Sequence, residues 1–360
     1  MLKPQKIEIY YWEGKYKLDA LFALAIHLIP LLNPIERLHL AEKCVDFSTF
    51  QNIRGHDIFY IGVGIRQTQT RLRTLENFNG KEMLNQAETL LKKLHNRNIK
   101  TTNILESNYP PLLREIYSAP FLLFYMGNLP NPEQASLSIV GTRRPSLNAK
   151  QETTLFVREI APHIGSVVSG LALGIDGTAH RAALAAKCHT SAVLGSGFDH
   201  LYPPANKKLA AEIVYNGGVL ITEYSPEVAP TPYTFPARNR IVSGLSRSVI
   251  VIEAPHRSGA LITANLALEQ GRDIFVHKVG LKPGSGLENL YLQGALVLER
   301  GSDLLNSWGI HCQEFVKIEE SKESLPAVGG KLKGKNEKSY DIAKILAENT
   351  AHDIGWSDDE

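Results

Sequence analysis

From Ser136 onward the chain repeats one pattern, short apolar runs separated by stretches of helical length. The runs are SLSIVG, SVVSG, SAVLGSG, GVLITEY, SVIVIEA, DIFVH and ALVLE. Strands that are apolar at nearly every position have both faces covered, and with helices between them they form a parallel sheet. Crossovers of one hand then put every strand-to-helix loop on the same edge, where sheets of this kind bind ligands. Function is to be sought in those loops.

Upstream, LDALFALAIHLIPLL and EMLNQAETLLKKLHNRNI carry apolar residues at helical spacing. A chain of 360 residues exceeds what one hydrophobic core usually holds. The expected organisation is a helical domain over residues 1–105 and an α/β domain over residues 106–310. A Gly- and Lys-bearing linker with one short helix, SYDIAKILAENT, is expected over residues 311–360, too little for another complete domain. Ile61-Gly62-Val63-Gly64 is compatible with a helix-hairpin-helix turn gripping a phosphate, although a plain turn between two packed helices is the commoner origin of such a sequence.

A net charge of only +2 leaves any nucleic-acid role to local clusters of Arg and Lys. Cys44, Cys188 and Cys312 are too far apart for a disulfide framework or a paired-cysteine zinc site, which fits a reducing cytoplasm. The opening MLKPQKIEIYYWEGK lacks the apolar core of a signal peptide, and no run approaches a membrane span. No metal, cofactor or membrane is expected.

The first α/β loop, Gly141-Thr142-Arg143-Arg144-Pro145-Ser146, joins a strand to a helix. Its Gly allows close backbone approach, the helix start offers free amides, and two arginines offer bidentate reach to phosphate. The Gly-x-Gly-x-x-Gly spacing of a dinucleotide site is missing, and the second strand ends in Ser169-Gly170 without an acidic ribose ligand. After the third strand come Gly195, Gly197, Asp199 and Tyr202, then Lys207 and Lys208. FPARNRIVSGLS supplies Arg238, Asn239 and Arg240, with Phe235 or Tyr233 as candidates to stack on a base. Ser258-Gly259 opens a later helix and reads as another anion-binding end. Converging on one edge, these basic segments would track several successive phosphates. Arg143 and Arg238 are read as exposed loop charges, whose joint replacement by alanine would leave the fold stable. Asp176 and His180, at i and i+4, share a helix face and could act as an acid/base or ligand pair, although capping and local packing are the commoner roles.

Together SIVGTRRPS, VVSGLALGIDGTAHRAAL, AVLGSGFDHLYPPANKKL, FPARNRIVSGLS and VIVIEAPHRSGALITANLALEQGRDIFV, preceded by YPPLLREI and MGNLP, resemble the DNA-processing protein A family, also called DprA or Smf. The resemblance covers roughly residues 108–307. It implies an extended, Rossmann-like, doubly wound and mostly parallel sheet, with a sterile-alpha-motif-like helical domain before it. It further implies a homodimer that binds single-stranded DNA in natural transformation and recombination, protects it, helps to load the RecA recombinase, and is not an enzyme. Carried over by motif, Arg143, Arg144, Lys207, Lys208, Arg238 and Arg240 become candidates for the DNA groove, Arg143 and Arg238 foremost; Gly141, Ser146, Asn239, Ser258 and Gly259 of the same loops complete the DNA-binding set. The chain departs from the family at Gly286-Leu287-Glu288, where Gly-x-Asn is usual, and only a linker and one helix are expected where many members carry a winged-helix domain. The competing reading is a nucleotide enzyme or sensor resembling the phosphoribohydrolases. Their catalytic Glu falls here at Leu266, which cannot do acid/base work.

Overall fold

The structure, a computed structural model, describes residues 18–44, 47–55, 57–61 and 67–310. Gly62-Val63-Gly64, the linker and SYDIAKILAENT lie outside the described residues, as does Cys312. The chain divides into two compact units, the first holding the described residues up to Lys93 with Thr101–Tyr109 and Pro120–Leu122, the second the rest.

The first unit is helical: α1 (Ala20–Leu28), α2 (Pro34–Lys43), α3 (Phe47–Asn52), α4 (Asp57–Ile61), α5 (Gln69–Leu75) and most of α6 (Gly80–Asn96). Helix α1 is apolar almost throughout and buries Phe22 to Ile26, so it forms the centre of this unit. Phe22 lies 5.6 Å from Phe47 and 5.1 Å from Phe50, ring centre to ring centre, and Phe50 lies edge-on to Phe78. Asn33 and Glu36 form a capping box that starts α2, with Pro34 at its first position. Glu36 also accepts from Arg71 at 2.6 Å and so fastens α2 to α5.

The second sequence region carries β1 (Lys100–Asn103), α7 (Pro111–Arg114), β2 (Leu122–Gly127), β3 (Ser136–Val140), α8 (Leu147–Ile160), β4 (Ser166–Ser169), α9 (Ile175–Ala185) and β5 (Thr190–Val193). It continues through α10 (Lys207–Tyr215), β6 (Val219–Thr222), α11 (Thr234–Gly244), β7 (Ser248–Val251), α12 (Gly259–Glu269), β8 (Asp273–His277), α13 (Gly286–Leu292), β9 (Leu296–Leu298) and α14 (Gly301–Ser307). All seven apolar runs are strands, β3 to β9, and every pairing among them is parallel. The sheet order is β1-β2-β6-β5-β4-β3-β7-β8-β9, with β2 antiparallel to β6. The doubly wound, mostly parallel fold is therefore the one expected, lengthened by two strands at one end.

Every residue of β3 to β7 is buried, because helices cover both faces. Helix α8 packs against α9 and α14, while α11 packs against α12. Phe156, Val157 and Ile160 of α8 meet Ile139, Val167 and Ile250 of the sheet in one core, with Leu304, Leu305 and Trp308 closing it. The order places β3 between β4 and β7. The chain winds from β3 toward β6 in one direction and from β7 toward β9 in the other, so the switch point lies between the C-terminal ends of β3 and β7.

Among the described residues no helix is long and apolar enough to cross a membrane, and no group of three or more His, Cys, Asp or Glu could hold a metal ion.

Candidate nucleic-acid interface

The loops after β3 and β7 meet at the switch point and fix one another. Thr142 N donates to the Glu253 carbonyl at 2.7 Å, and Ser146 N donates to the Glu253 carboxylate at 2.8 Å. Ile175 N donates back to Thr142 O, and Ser146 Oγ caps α8 by accepting from Ala149 N. The backbone of residues 141–146 is thus held from three sides while Arg143 and Arg144 stay exposed. Neither guanidinium has an ion pair or hydrogen bond among the described residues, so both are available to an anion. Gly141 has a different role from the one expected. A Cβ there would stand 2.5 Å from Ile175 Cγ1 and 3.0 Å from Glu253 O, so the glycine admits protein packing, not ligand approach. Ser146 likewise spends its hydroxyl on the α8 cap.

The loop after β4 is the seat of this arginine loop. Gly174, at φ 79°, passes so near Thr142 O and Arg143 O that a Cβ would lie 2.3 and 2.6 Å from them. Leu171 is left-handed too, at φ 59°, a conformation that costs a non-glycine residue about 1–3 kcal/mol and persists only where surrounding contacts impose it. Those contacts come from Asp176, whose Oδ2 accepts from Gly170 N at 3.1 Å and Ala172 N at 3.4 Å. Burial lifts the Asp176 carboxyl above its ordinary value, against the pull of Arg238 and of these amides.

Arg238 requires the main correction. It lies on α11, not in a loop, and is only 5% exposed. Its Nη1 donates to Gly170 O at 2.7 Å and to Val193 O, tying the ends of β4 and β5 together. Burial holds its pKa down to about 10, with Asp176 pulling upward and Arg143 adding to the fall. Its neighbour Arg240 is not a free charge either. It forms a two-pronged ion pair with Glu223 at 2.5 and 2.6 Å and donates to Ser118 O. Arg238 is therefore no exposed loop charge, and the double replacement with Arg143 would not spare stability.

Asp176 and His180 are not paired with each other. His180 is fully buried, its Nδ1 2.7 Å from Thr190 Oγ1, and burial pushes its pKa down to about 3. A neutral, sealed imidazole shared with a strand hydroxyl is a packing element.

Aromatic rings lie farther along the same sheet edge, after β5. Tyr202 and Phe235 stand 5.4 Å apart with their rings tilted, Tyr202 remaining 45% and Tyr233 84% exposed. Gly195 is small because the Phe235 ring covers it, and Gly197 because the carbonyls of Ser225 and Pro226 do. Lys207 and Lys208 open α10, the first half-buried and the second exposed, 4.0 Å from Glu212. Ser258 caps α12 by accepting from Ala260 N, Gly259 faces open space, and Asn239 Nδ2 donates to Gly259 O at 3.4 Å. Arg257 here is absent from the sequence-derived candidates, and Tyr202 is named among them without a stacking role. Arg257 is exposed in the β7 loop, and the rule placing ligands at the switch point would have flagged it.

Comparison with known proteins agrees with this architecture. The family model of DNA recombination-mediator protein A matches residues 100–309. The DNA processing protein DprA of Streptococcus pneumoniae is 42% identical over 205 residues, 56% of this chain and 72% of that protein. Protein Smf of Escherichia coli is 40% identical over 207 residues, 56% of this chain and 55% of that protein. The crystal structure of the Streptococcus pneumoniae protein covers 81% of this chain and 98% of its own, with a TM-score of 0.66 and 32% identity. The Helicobacter pylori DNA processing protein A, whose structure concerns its single-stranded DNA binding mode, covers 58% of this chain and 95% of its own, with a TM-score of 0.52 and 30% identity. With the motifs, the sheet order and these matches in agreement, the chain belongs to the DNA recombination-mediator protein A family.

Proposed function

We propose that the C-terminal edge of the sheet binds single-stranded DNA, without catalysis, and that the protein passes the strand to a RecA recombinase during DNA uptake and recombination in the cytoplasm. The observation that carries this reading is the pinned loop at the switch point presenting Arg143 and Arg144 without partners among the described residues. Lys207, Lys208 and Arg257 extend the positive surface, Ser258, Gly259 and Asn239 offer polar groups, and Tyr202, Phe235 and Tyr233 offer ring faces to unstacked bases. Phosphate contact by arginine and base contact by stacking suit a flexible single strand and give little sequence preference. The Helicobacter pylori relative's single-stranded DNA binding mode supports the ligand, and the family's description as a recombination mediator supports the partner. Arg238 and Arg240 contribute here as supports of the edge.

Labelled oligonucleotides titrated by fluorescence anisotropy test the ligand. Single strands should outcompete duplex, and affinity should fall steeply with salt; equal affinity at low and high salt would overturn the reading. Stimulation of RecA filament growth on DNA coated by single-strand-binding protein tests the partner, and its absence with intact DNA binding would remove RecA.

A homodimer is part of the same proposal, with the outer edge of β9 as its interface. Leu296 and Val297 are exposed on this last strand, and Leu292 and Tyr291 of α13 are exposed nearby in sequence. An apolar open edge invites pairing, and a two-fold axis lets it pair with itself. Charging Leu292 and Leu296 together as Asp should convert a dimer to a monomer in sedimentation; an unchanged dimer would place the interface elsewhere.

A further inference from the structure

We infer that Arg238 and Asp176 are positioning residues that shape the arginine loop from beneath, and are not themselves ligands of the nucleic acid. The inference rests on the DNA-binding reading above and deepens it.

Arg238 is a cation placed where an apolar side chain would cost less. Residues 241, 242 and 245 of the same α11 face are Ile, Val and Leu, all buried. Taking a guanidinium out of water is expensive, and here it has two backbone carbonyls and the field of Asp176 in return, with Nε left without a partner. What the arrangement achieves is geometric. The guanidinium clamps the ends of β4 and β5 through Gly170 O and Val193 O. Asp176 gathers two amides of the same turn, Gly170 N and Ala172 N. A Cβ on Gly170 would lie 2.6 Å from Arg238 Nη2 and 2.8 Å from Asp176 Oδ2, so the turn threads between the two charged groups. That turn holds left-handed Leu171 and Gly174, and Gly174 and Ile175 carry the Thr142–Arg143 backbone on their surface. One buried pair of charges is thus connected through a single strained turn to the exposed arginines.

Two pictures of Asp176 give opposite signs. If the cluster acts only through charge, Asp176→Asn removes a negative group near the phosphates and tightens DNA binding. If it positions the loop, the same substitution lets the 170–174 turn relax and weakens binding, by about tenfold for an indirect coupling of ordinary size. Gly170→Ala, which changes no charge, should weaken binding similarly. Arg238→Lys should fail to restore it, because an ammonium cannot reproduce the planar two-carbonyl clamp. A direct phosphate ligand would tolerate lysine.

The experiment measures oligonucleotide affinity for Asp176→Asn, Gly170→Ala and Arg238→Lys in the full chain. Hydrogen exchange of residues 141–146 and 170–175 is followed in the same proteins without DNA. Faster exchange confined to both segments, with weaker binding by the first two variants, is the expected result. Tighter binding by Asp176→Asn, or lysine at 238 binding as well as arginine, overturns the inference. So does exchange unchanged in both segments, an outcome read without DNA and therefore independent of whether the edge binds it. Protection lost across the whole sheet in Asp176→Asn would mark a general fold defect and count against a local positioning role.

Discussion

Alanine at both Arg143 and Arg144 should weaken single-stranded DNA binding by about two orders of magnitude. A charge-assisted hydrogen bond contributes about 1.5 kcal/mol at the low end, and each 1.4 kcal/mol is tenfold in affinity, so two such losses multiply to about a hundredfold. The slope of log affinity against log salt should also become shallower by about 1.4, because each phosphate contact on a single strand contributes about 0.7. Stability should stay within about 0.5 kcal/mol, since both side chains are exposed and unpaired among the described residues and their loop is held by hydrogen bonds of its backbone with Glu253 and Ile175. Removing Arg143 also relieves its repulsion of Arg238. A melt at the wild-type temperature with binding reduced less than threefold would take both arginines out of the interface.

The opposite balance is expected at Arg238. Alanine there leaves Asp176 buried without its counter-charge, unties two strand ends and opens a void under the sheet edge. Breaking a buried charge network by removing one member typically destabilises by about 3–5 kcal/mol. In a domain of this size each kcal/mol lowers Tm by about 2–4 °C, so thermal unfolding should move down by about 6–20 °C. Calorimetry of the variant without DNA gives the answer. A Tm within two degrees of wild type would mean that the buried guanidinium is not holding the edge together.

These two arginines show how far the sequence could be read. Both stood in motifs that pointed to one sheet edge, and both are found there. Arg143 could be placed outright, because a strand-end loop at the switch point is solvent-facing in any doubly wound sheet. Arg238 was misread as exposed, although the signal was present: Arg238, Ile241, Val242 and Leu245 fall at i, i+3, i+4 and i+7, the buried stripe of α11. A cation on an apolar stripe is a buried one. The ion pair of Arg240 with Glu223 joins residues seventeen apart on different elements, and no local pattern announces such a pair.

The glycines teach the same lesson. Gly141, Gly170, Gly195 and Gly197 all stand in family motifs, and Gly141 suggests a ligand pressed against backbone. Each lacks room for a Cβ because Ile175, Arg238, Phe235 or the 225–226 backbone fills the space, and only coordinates can tell a protein neighbour from a ligand. Gly259, which faces open space, is the one among the site glycines where a ligand could still approach closely. The strands were legible because burial on both faces makes them apolar at nearly every position. Strand β1, reading KTTN, carries no such run, and β2 lies in a region where Pro110, Pro111 and Pro120 break the pattern on which the reading relied.

A groove that tracks successive phosphates is distinguished from a nucleotide pocket by a length series of labelled oligothymidylates titrated against this protein. Affinity should climb from the mononucleotide through several added units before levelling, at a length set by the span from Arg143 to the aromatic cluster around Tyr202. Affinity that is already complete with a mononucleotide would contradict the groove and make the edge a nucleotide pocket.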